Sequence, residues 1–222
     1  MHTYDTPAPV TAVAGLPAGN ITFIAADRAD TTVEVRPADA SSSRDIKAAE
    51  QTQVGYGDGV LRIQAPPARN RVLGHPGSVQ VTVQLPADSG IEATAASARV
   101  RGVGRLGHVT IDAAQATVKI DEAAAAQITV QAGDITIGRL AGAASISTRM
   151  GTITVTEAVT GTVELSAQDG AITIGAAAGA CAALDAGTSY GRIRNALTST
   201  GGTPALTIHA TTGRGDITAR SL

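Results

Sequence analysis

The sequence predicts an all-β chain, a single domain whose second half is a β-solenoid built from a two-strand unit repeated about seven times. Three observations carry this. From residue 91 onward, apolar residues alternate with polar ones in short paired runs, the period-two pattern of strands buried on one face. The pairs recur at a near-constant interval: the second-strand anchors Val100, Val118, Ile135, Ile153, Ile172, Ile193 and Ile217 are 18, 17, 18, 19, 21 and 24 residues apart. Aromatic residues make up only 2% of the 222, with no Trp and Phe23 as the single Phe, so Val, Ile, Leu and Ala must fill the interior. Such narrow side chains suit a thin coil better than a sandwich, whose thicker core usually recruits aromatics.

The clearest copy of the repeat is Ile128-Thr-Val130 followed by Gly133-Asp134-Ile135-Thr-Ile137. Others are Ile146 with Gly151 and Ile153-Thr-Val155, Val163-Glu-Leu165 with Gly170 and Ile172-Thr-Ile174, and Leu206-Thr-Ile208 with Gly215-Asp216-Ile217. Weaker copies hold Ile91 with Val100, Val109 and Ile111 with Val118 and Ile120, and Leu184 with Ile193. Constant two-strand phasing predicts one turn of coil per repeat, with equivalent strands parallel and about 4.8 Å apart. Gly133, Gly151, Gly170, Gly191 and Gly215 each stand just before a second-strand anchor, where a coil must bend sharply, and are expected to be structural corners. Gly104-Arg-Leu-Gly107 and Gly138-Arg-Leu-Ala-Gly142 resemble one another and predict a second corner.

Residues 1–90 are organised differently and are expected to form a β-rich cap on the repeats of residues 91–222. Ile21-Thr-Phe23-Ile24 and Thr32-Val33-Glu-Val35 flank a polar turn and predict a hairpin ended by Pro37. Residues 41–53 are the one helix candidate, with Ser42 and Asp45 at capping-box spacing and Ile46, Ala48 and Ala49 offering an apolar face. Val60-Leu-Arg-Ile63 stops at Pro66-Pro67, and Val79-Gln-Val81-Thr-Val83-Gln-Leu85 ends at Pro86. The C-terminal end carries no evident cap beyond its longer last coil and the tail Ala219-Arg-Ser-Leu222.

Net charge is −2, which argues against bulk attraction to nucleic acid or anionic membrane. No run approaches the roughly 18 apolar residues of a membrane span. The first residues lack the basic and apolar regions of a signal peptide, which predicts a cytoplasmic location unless a leader has been trimmed. Cys181 is the only cysteine, which excludes an internal disulfide, and its apolar surroundings predict a buried thiol. His2, His75, His108 and His209 show no metal-ligand spacing, and nothing predicts a metal, cofactor or catalytic residue. Asp134, Asp169 and Asp216 read as turn residues; the chain lacks the glycine-aspartate period of calcium-binding β-rolls. Glu164 has no matching carboxylate on neighbouring coils, no G-x-S-x-G elbow occurs, and Gly102 to Gly107 fits G-x-G-x-x-G only inside the repeat. One charge feature points to binding. Arg69 and Arg71, with His75, precede the strand at residues 78–85, and Arg99, Arg101 and Arg105 decorate the first coil. Were that strand to adjoin the coil, the five arginines would form an anion-binding patch.

Three further features carry a family resemblance: the opening Tyr4-Asp5-Thr6-Pro7 with Leu16-Pro-Ala-Gly19-Asn-Ile21, the run Ala48-Ala-Glu50-Gln51-Thr, and the recurring Gly-Asp-Ile-Thr. In this order they resemble the bacterial putative-adhesin family, a β-strand-repeat domain of unknown function, and look closest to actinobacterial members. The resemblance spans nearly the whole chain. It implies a right-handed parallel β-helix-like fold and no established enzyme activity, and it defines no functional residues. The reading is a non-enzymatic structural or interaction module with an unidentified protein or polymer partner, acting through its flat Thr-rich faces or a stack end. The alternatives are a scaffold that self-assembles through its stack ends, in the manner of bactofilins, and a carbohydrate-active β-helix enzyme. The corner assignment has a direct consequence for stability. Gly151→Val is expected to lower the melting temperature sharply, whereas Thr154→Val leaves it nearly unchanged; paired thermal melts check the difference.

Overall fold

A computed structural model describes residues 1–65, 77–198 and 203–222. Among them lie 16 strands and one short helix, so the protein is nearly all β, and the strands belong to one large sheet. The chain packs as two compact units, Met1–Ala116 and Thr117–Leu222.

The first unit holds β1 (His2–Asp5), β2 (Thr11–Ala26), β3 (Asp30–Pro37), α1 (Ser43–Gln51), β4 (Gln53–Gly57), β5 (Val60–Gln64), β6 (Val79–Pro86) and the first part of β7 (Gly90–Ala132). Its organising strand is β2. One edge of β2 pairs in parallel with β5 through residues 11–15 and with β6 through residues 19–26, while the other edge pairs in parallel with β7 through residues 11–24. Ile21, Phe23, Val81, Val83 and Val100 are thereby fully buried, with the alternation that the sequence displays. The outer side of this layer is closed by antiparallel strands, β3 on β6 and β4 on β5, with β1 on β3.

The expected hairpin of residues 21–35 does not form. β2 and β3 are separated by β6, which pairs in parallel with β2 and antiparallel with β3. The local alternation that marks both segments as strands carries no statement of partner. The helix forms where expected, and Ser42 Oγ accepts from Asp45 N at 3.4 Å. The reciprocal arm of a capping box is absent: the Asp45 carboxylate accepts instead from the backbone N–H groups of Asp39 and Ser78, tying the helix to the start of β6. The helix buries none of its residues, and Ile46 is exposed. Pro66 and Pro67 lie outside the described residues.

The second unit takes the last part of β7 and adds β8 (Ile135–Leu140), β9 (Ala144–Met150), β10 (Ile153–Ala158), β11 (Gly161–Asp169), β12 (Ile172–Ala176), β13 (Ala182–Tyr190), β14 (Ile193–Ala196), β15 (Leu206–Arg214) and β16 (Ile217–Ser221). Every pairing among them is parallel, and the register is continuous except for a shift between Val155 and Ala158 where β10 meets β12. Val118, Ile135, Ile153 and Ile172 stand in one inward column, and Ile128, Ile146 and Leu165 in another. All are essentially inaccessible to water. Burial of one such side chain stabilises by roughly 1.5–3 kcal/mol.

Glycines at the strand connections of this unit are closely packed. An atom in the Cβ position of Gly170 would lie 1.9 Å from the carbonyl oxygen of Gly151, and one on Gly151 would lie 2.2 Å from that of Gly133. Gly151 also has φ +142°, a conformation that L side chains rarely adopt. The same column continues with Gly215 over Gly170 and Gly191 over Gly215. Inward threonines serve the carbonyls of this column: Thr148 donates to Gly133 O, Thr212 to Gly170 O and Thr188 to Gly215 O.

The spatial order of the last strands departs from chain order, and with it the expectation for the C-terminal end. β16 lies between β12 and β14, and β15 lies between β11 and β13. The final copy of the repeat is thus threaded inward, and the weak copy carrying Leu184 and Ile193 is left outermost. Hydrophobicity explains the choice: Leu206, Ile208, Ala210, Ile217 and Ala219 become fully buried, whereas the poorer segment 182–196 is left partly or largely exposed. Amide hydrogen exchange tests this order. The Ile208 and Ile217 amides are expected to exchange as slowly as those of Ile146 and Ile153, and more slowly than those of β13 and β14. Protection that fades steadily toward the C-terminus would contradict the threading.

Candidate binding surface

Outward positions of the second unit alternate with its buried columns, so register also dictates what the surface displays. Thr136, Thr154, Thr173 and Thr218 occupy successive paired positions of β8, β10, β12 and β16, flanked by Lys119 on β7 and Arg194 on β14. A second column joins Thr129, Ser147, Ser166 and Thr211 on β7, β9, β11 and β15. Ser147 Oγ donates to Thr129 Oγ1 at 3.3 Å. Each hydroxyl both donates and accepts, and parallel strands repeat it about every 4.8 Å. Two rows of regularly spaced hydroxyls result.

Some charged side chains are neutralised across neighbouring strands. Arg139 lies between Glu122 at 3.7 Å and Glu157 at 2.7 Å, and Arg214 meets Asp169 at 2.7 Å. These pairs are exposed and contribute little individually. Asp134 and Asp216 work as turn groups that reach the adjoining strand connection. Asp134 Oδ1 accepts from both N and Oγ1 of Thr152, and Asp216 Oδ1 accepts from Arg192 N. The Thr152 hydroxyl, helped by its N–H, holds the Asp134 carboxyl below the usual carboxylate range.

Of the arginines expected to form an anion patch, Arg69 and Arg71 lie outside the described residues, as does His75. Arg99 and Arg101 are exposed on β7. In the described residues β2 lies between β6 and this part of β7, with Asn20 opposite both Arg99 and Gln80. Arg105 binds Asp88 through two hydrogen bonds of 2.7 and 2.9 Å, which lower the Asp88 pKa and offset the arginine's charge. Three arginines outside that prediction, Arg192, Arg194 and Arg220, lie exposed on and beside β14 and β16 without an ion pair among the described residues. Their grouping was hidden by the threading of β16, which sets Ala196 opposite Arg220.

The same threading gives Glu164 an unforeseen neighbour. It stands between Ser145 and His209, and His209 Nδ1 is 3.4 Å from Asp185 on the next strand. No metal-binding group of three or more His, Cys, Asp or Glu side chains occurs among the described residues. Cys181 is half-buried. An open groove of about 610 Å³ in the first unit is lined by Gly15, Leu16, Gln64, Thr94 and Asp112 among others, and Asp112 is its sole ionisable lining group among the described residues. No helix of the described residues is long and apolar enough to cross a membrane.

The lowered Asp134 pKa sets a pH dependence. A carboxyl whose folded pKa lies below its unfolded value stabilises the fold above the unfolded pKa, and that contribution is lost as pH falls through the folded pKa. Thr152→Val is therefore expected to raise the Asp134 pKa, read by NMR titration. It should cost about 0.5 kcal/mol at neutral pH for this largely exposed group, with the difference from the parent shrinking below about pH 4.

No family model matches the chain, and no curated protein matches it. Solved structures do. A putative adhesin from Parabacteroides distasonis is 13% identical and superposes with a TM-score of 0.51, covering 98% of this chain and 95% of that one. A putative adhesin from Bacteroides fragilis is 15% identical, with a TM-score of 0.45 over 100% of this chain and 95% of that one. A putative cell adhesion protein from Clostridium sporogenes is 10% identical, with a TM-score of 0.42 over 100% and 98%. The Parabacteroides likeness establishes a shared fold.

Proposed function

We propose that the chain is a non-enzymatic interaction module of the adhesin type, that its strands wind as a right-handed β-solenoid of about seven short coils, and that it presents a hydroxyl-lined face to a polymer. Parallel pairing of each repeat with the equivalent strands of its neighbours supports the winding. Parallel strands cannot be joined by a tight hairpin, and such crossovers are overwhelmingly right-handed. The corner glycines fit the same reading, since each removes a Cβ where one coil passes closely over the next. The shared fold with a Parabacteroides protein called a putative adhesin fits the class of function without naming a ligand.

The observation that carries the binding reading is the column Thr136, Thr154, Thr173 and Thr218. Its hydroxyls repeat at the strand spacing on a pleated, nearly charge-free row. A neutral, hydroxyl-rich chain laid along the row can exchange donors and acceptors with each step. Hydrolysis is disfavoured on chemical grounds. Among the described residues the groove offers one carboxylate, Asp112, and Glu164 is flanked by Ser145 and His209, with Asp185, the next acid of that row, held by His209.

Retention on immobilised dextran, cellulose and polygalacturonate tests the proposal. The parent protein is expected to be retained on the neutral polymers and to release no reducing ends. The double variant Thr154→Lys, Thr173→Lys should bind about tenfold more weakly or worse, with its melting temperature nearly unchanged. Equal retention of parent and variant, or accumulating reducing ends, would refute it.

A further inference from the structure

We infer that the outermost strands of the second unit, β13 and β14, form a docking edge for an extended segment of a partner protein that alternates apolar and acidic residues. Three independent features of this edge point there.

The first is the backbone. Among the described residues β13 pairs only with β15 and β14 only with β16, so the opposite side of each strand presents unpaired N–H and C=O groups. Such an edge is a template for another strand. The second is the side chains that continue the core. Leu184 stands in register with Ile208, and Ile193 with Ile217. Ile208 and Ile217 are fully buried, yet Ile193 is 45% exposed. The inward columns therefore end on apolar groups that one more strand would cover. The third is charge. Arg192 and Arg194 are two residues apart at the start of this edge, and Arg220 is paired opposite Ala196 on the adjacent strand. None of these three has an ion pair among the described residues. The one acid of β13, Asp185, already faces His209.

Strand periodicity turns these features into a ligand pattern. Residues facing Ile193 from an added strand point inward and should be apolar, while the intervening residues lie beside Arg192 and Arg194 and should be acidic. A second copy of the chain fits poorly. Two-fold pairing of β14 with itself would bring the arginines of both copies together, and like charges across strands destabilise. The occupant that satisfies edge, apolar end and charge together is an acidic, β-forming segment.

A labelled synthetic peptide alternating valine and glutamate, titrated by fluorescence anisotropy at low salt, tests this. Two controls are its valine–lysine counterpart and a valine–glutamate peptide with alternate amides methylated. Only the unmodified glutamate peptide is expected to bind, and more weakly as salt rises. The double variant Arg192→Glu, Arg194→Glu alters exposed side chains, so its melting temperature should hold. It should bind the glutamate peptide at least about fivefold more weakly and gain affinity for the lysine peptide. The variant Thr154→Lys, Thr173→Lys should keep full peptide binding, which separates this edge from the hydroxyl face. Absence of glutamate-peptide binding, equal binding of the methylated peptide, indifference to the double charge reversal, or a dimer that the peptide dissociates would each overturn the proposal.

Discussion

Register in the second unit is the constraint on which its other features depend. Val118, Ile135, Ile153, Ile172 and Ile217 lie on consecutive strands, each covered by the next. A slip of one residue would turn every one of them to solvent, at a cost of a few kcal/mol per strand. Once the register is fixed, close approaches follow: a backbone carbonyl oxygen falls where the Cβ of Gly151 or Gly170 would be, and no side chain can stand there. The buried threonines follow as well. Thr148 and Thr212 sit at inward positions, each opposite Ala167, and donate to the backbone carbonyls of Gly133 and Gly170. The outward hydroxyl columns are the other face of the same pleat.

The two units treat their outermost layers differently. In the first, β3 and β4 run antiparallel along β6 and β5 and close the layer with backbone hydrogen bonds. In the second, β13 and β14 carry no such cover among the described residues, and their poorer apolar content matches that position. Arginine at the bare edge also opposes indiscriminate pairing with like edges, a known means of keeping sheet edges from aggregating. An edge that is open in hydrogen bonding yet guarded by charge is selective.

Much of the strand content was legible because it rests on local alternation. Ile128 to Ile137 and Ile146 to Val155 declare their inward faces residue by residue, and Ser42 announces the helix start through one side-chain hydrogen bond. Partner choice was not legible. Segments 21–24 and 32–35 look like adjacent arms of a hairpin, yet β6 lies between them; the copies at Ile193 and Ile217 look sequential, yet β16 lies inside β14. Alternation states which face is buried and is silent about which edge is taken. The surface inherited that limit. The hydroxyl column needs the alignment of Thr136, Thr154, Thr173 and Thr218, which the repeat interval nearly supplies, whereas the grouping of Arg194 with Arg220 needs the threaded order.

The inward placement of β15 and β16 bears on how the molecule is made. A nascent chain leaves the ribosome from its N-terminus, so β11 to β14 emerge before the strands that will separate them. Until Leu206 to Ser221 are free of the exit tunnel, β11 and β12 lack their final neighbours and β13 and β14 have none of theirs. This part of the fold can reach its native order only once residues 206–221 have emerged. Strands that emerge later than β13 and β14 are thus the ones that close the interior beside β11 and β12.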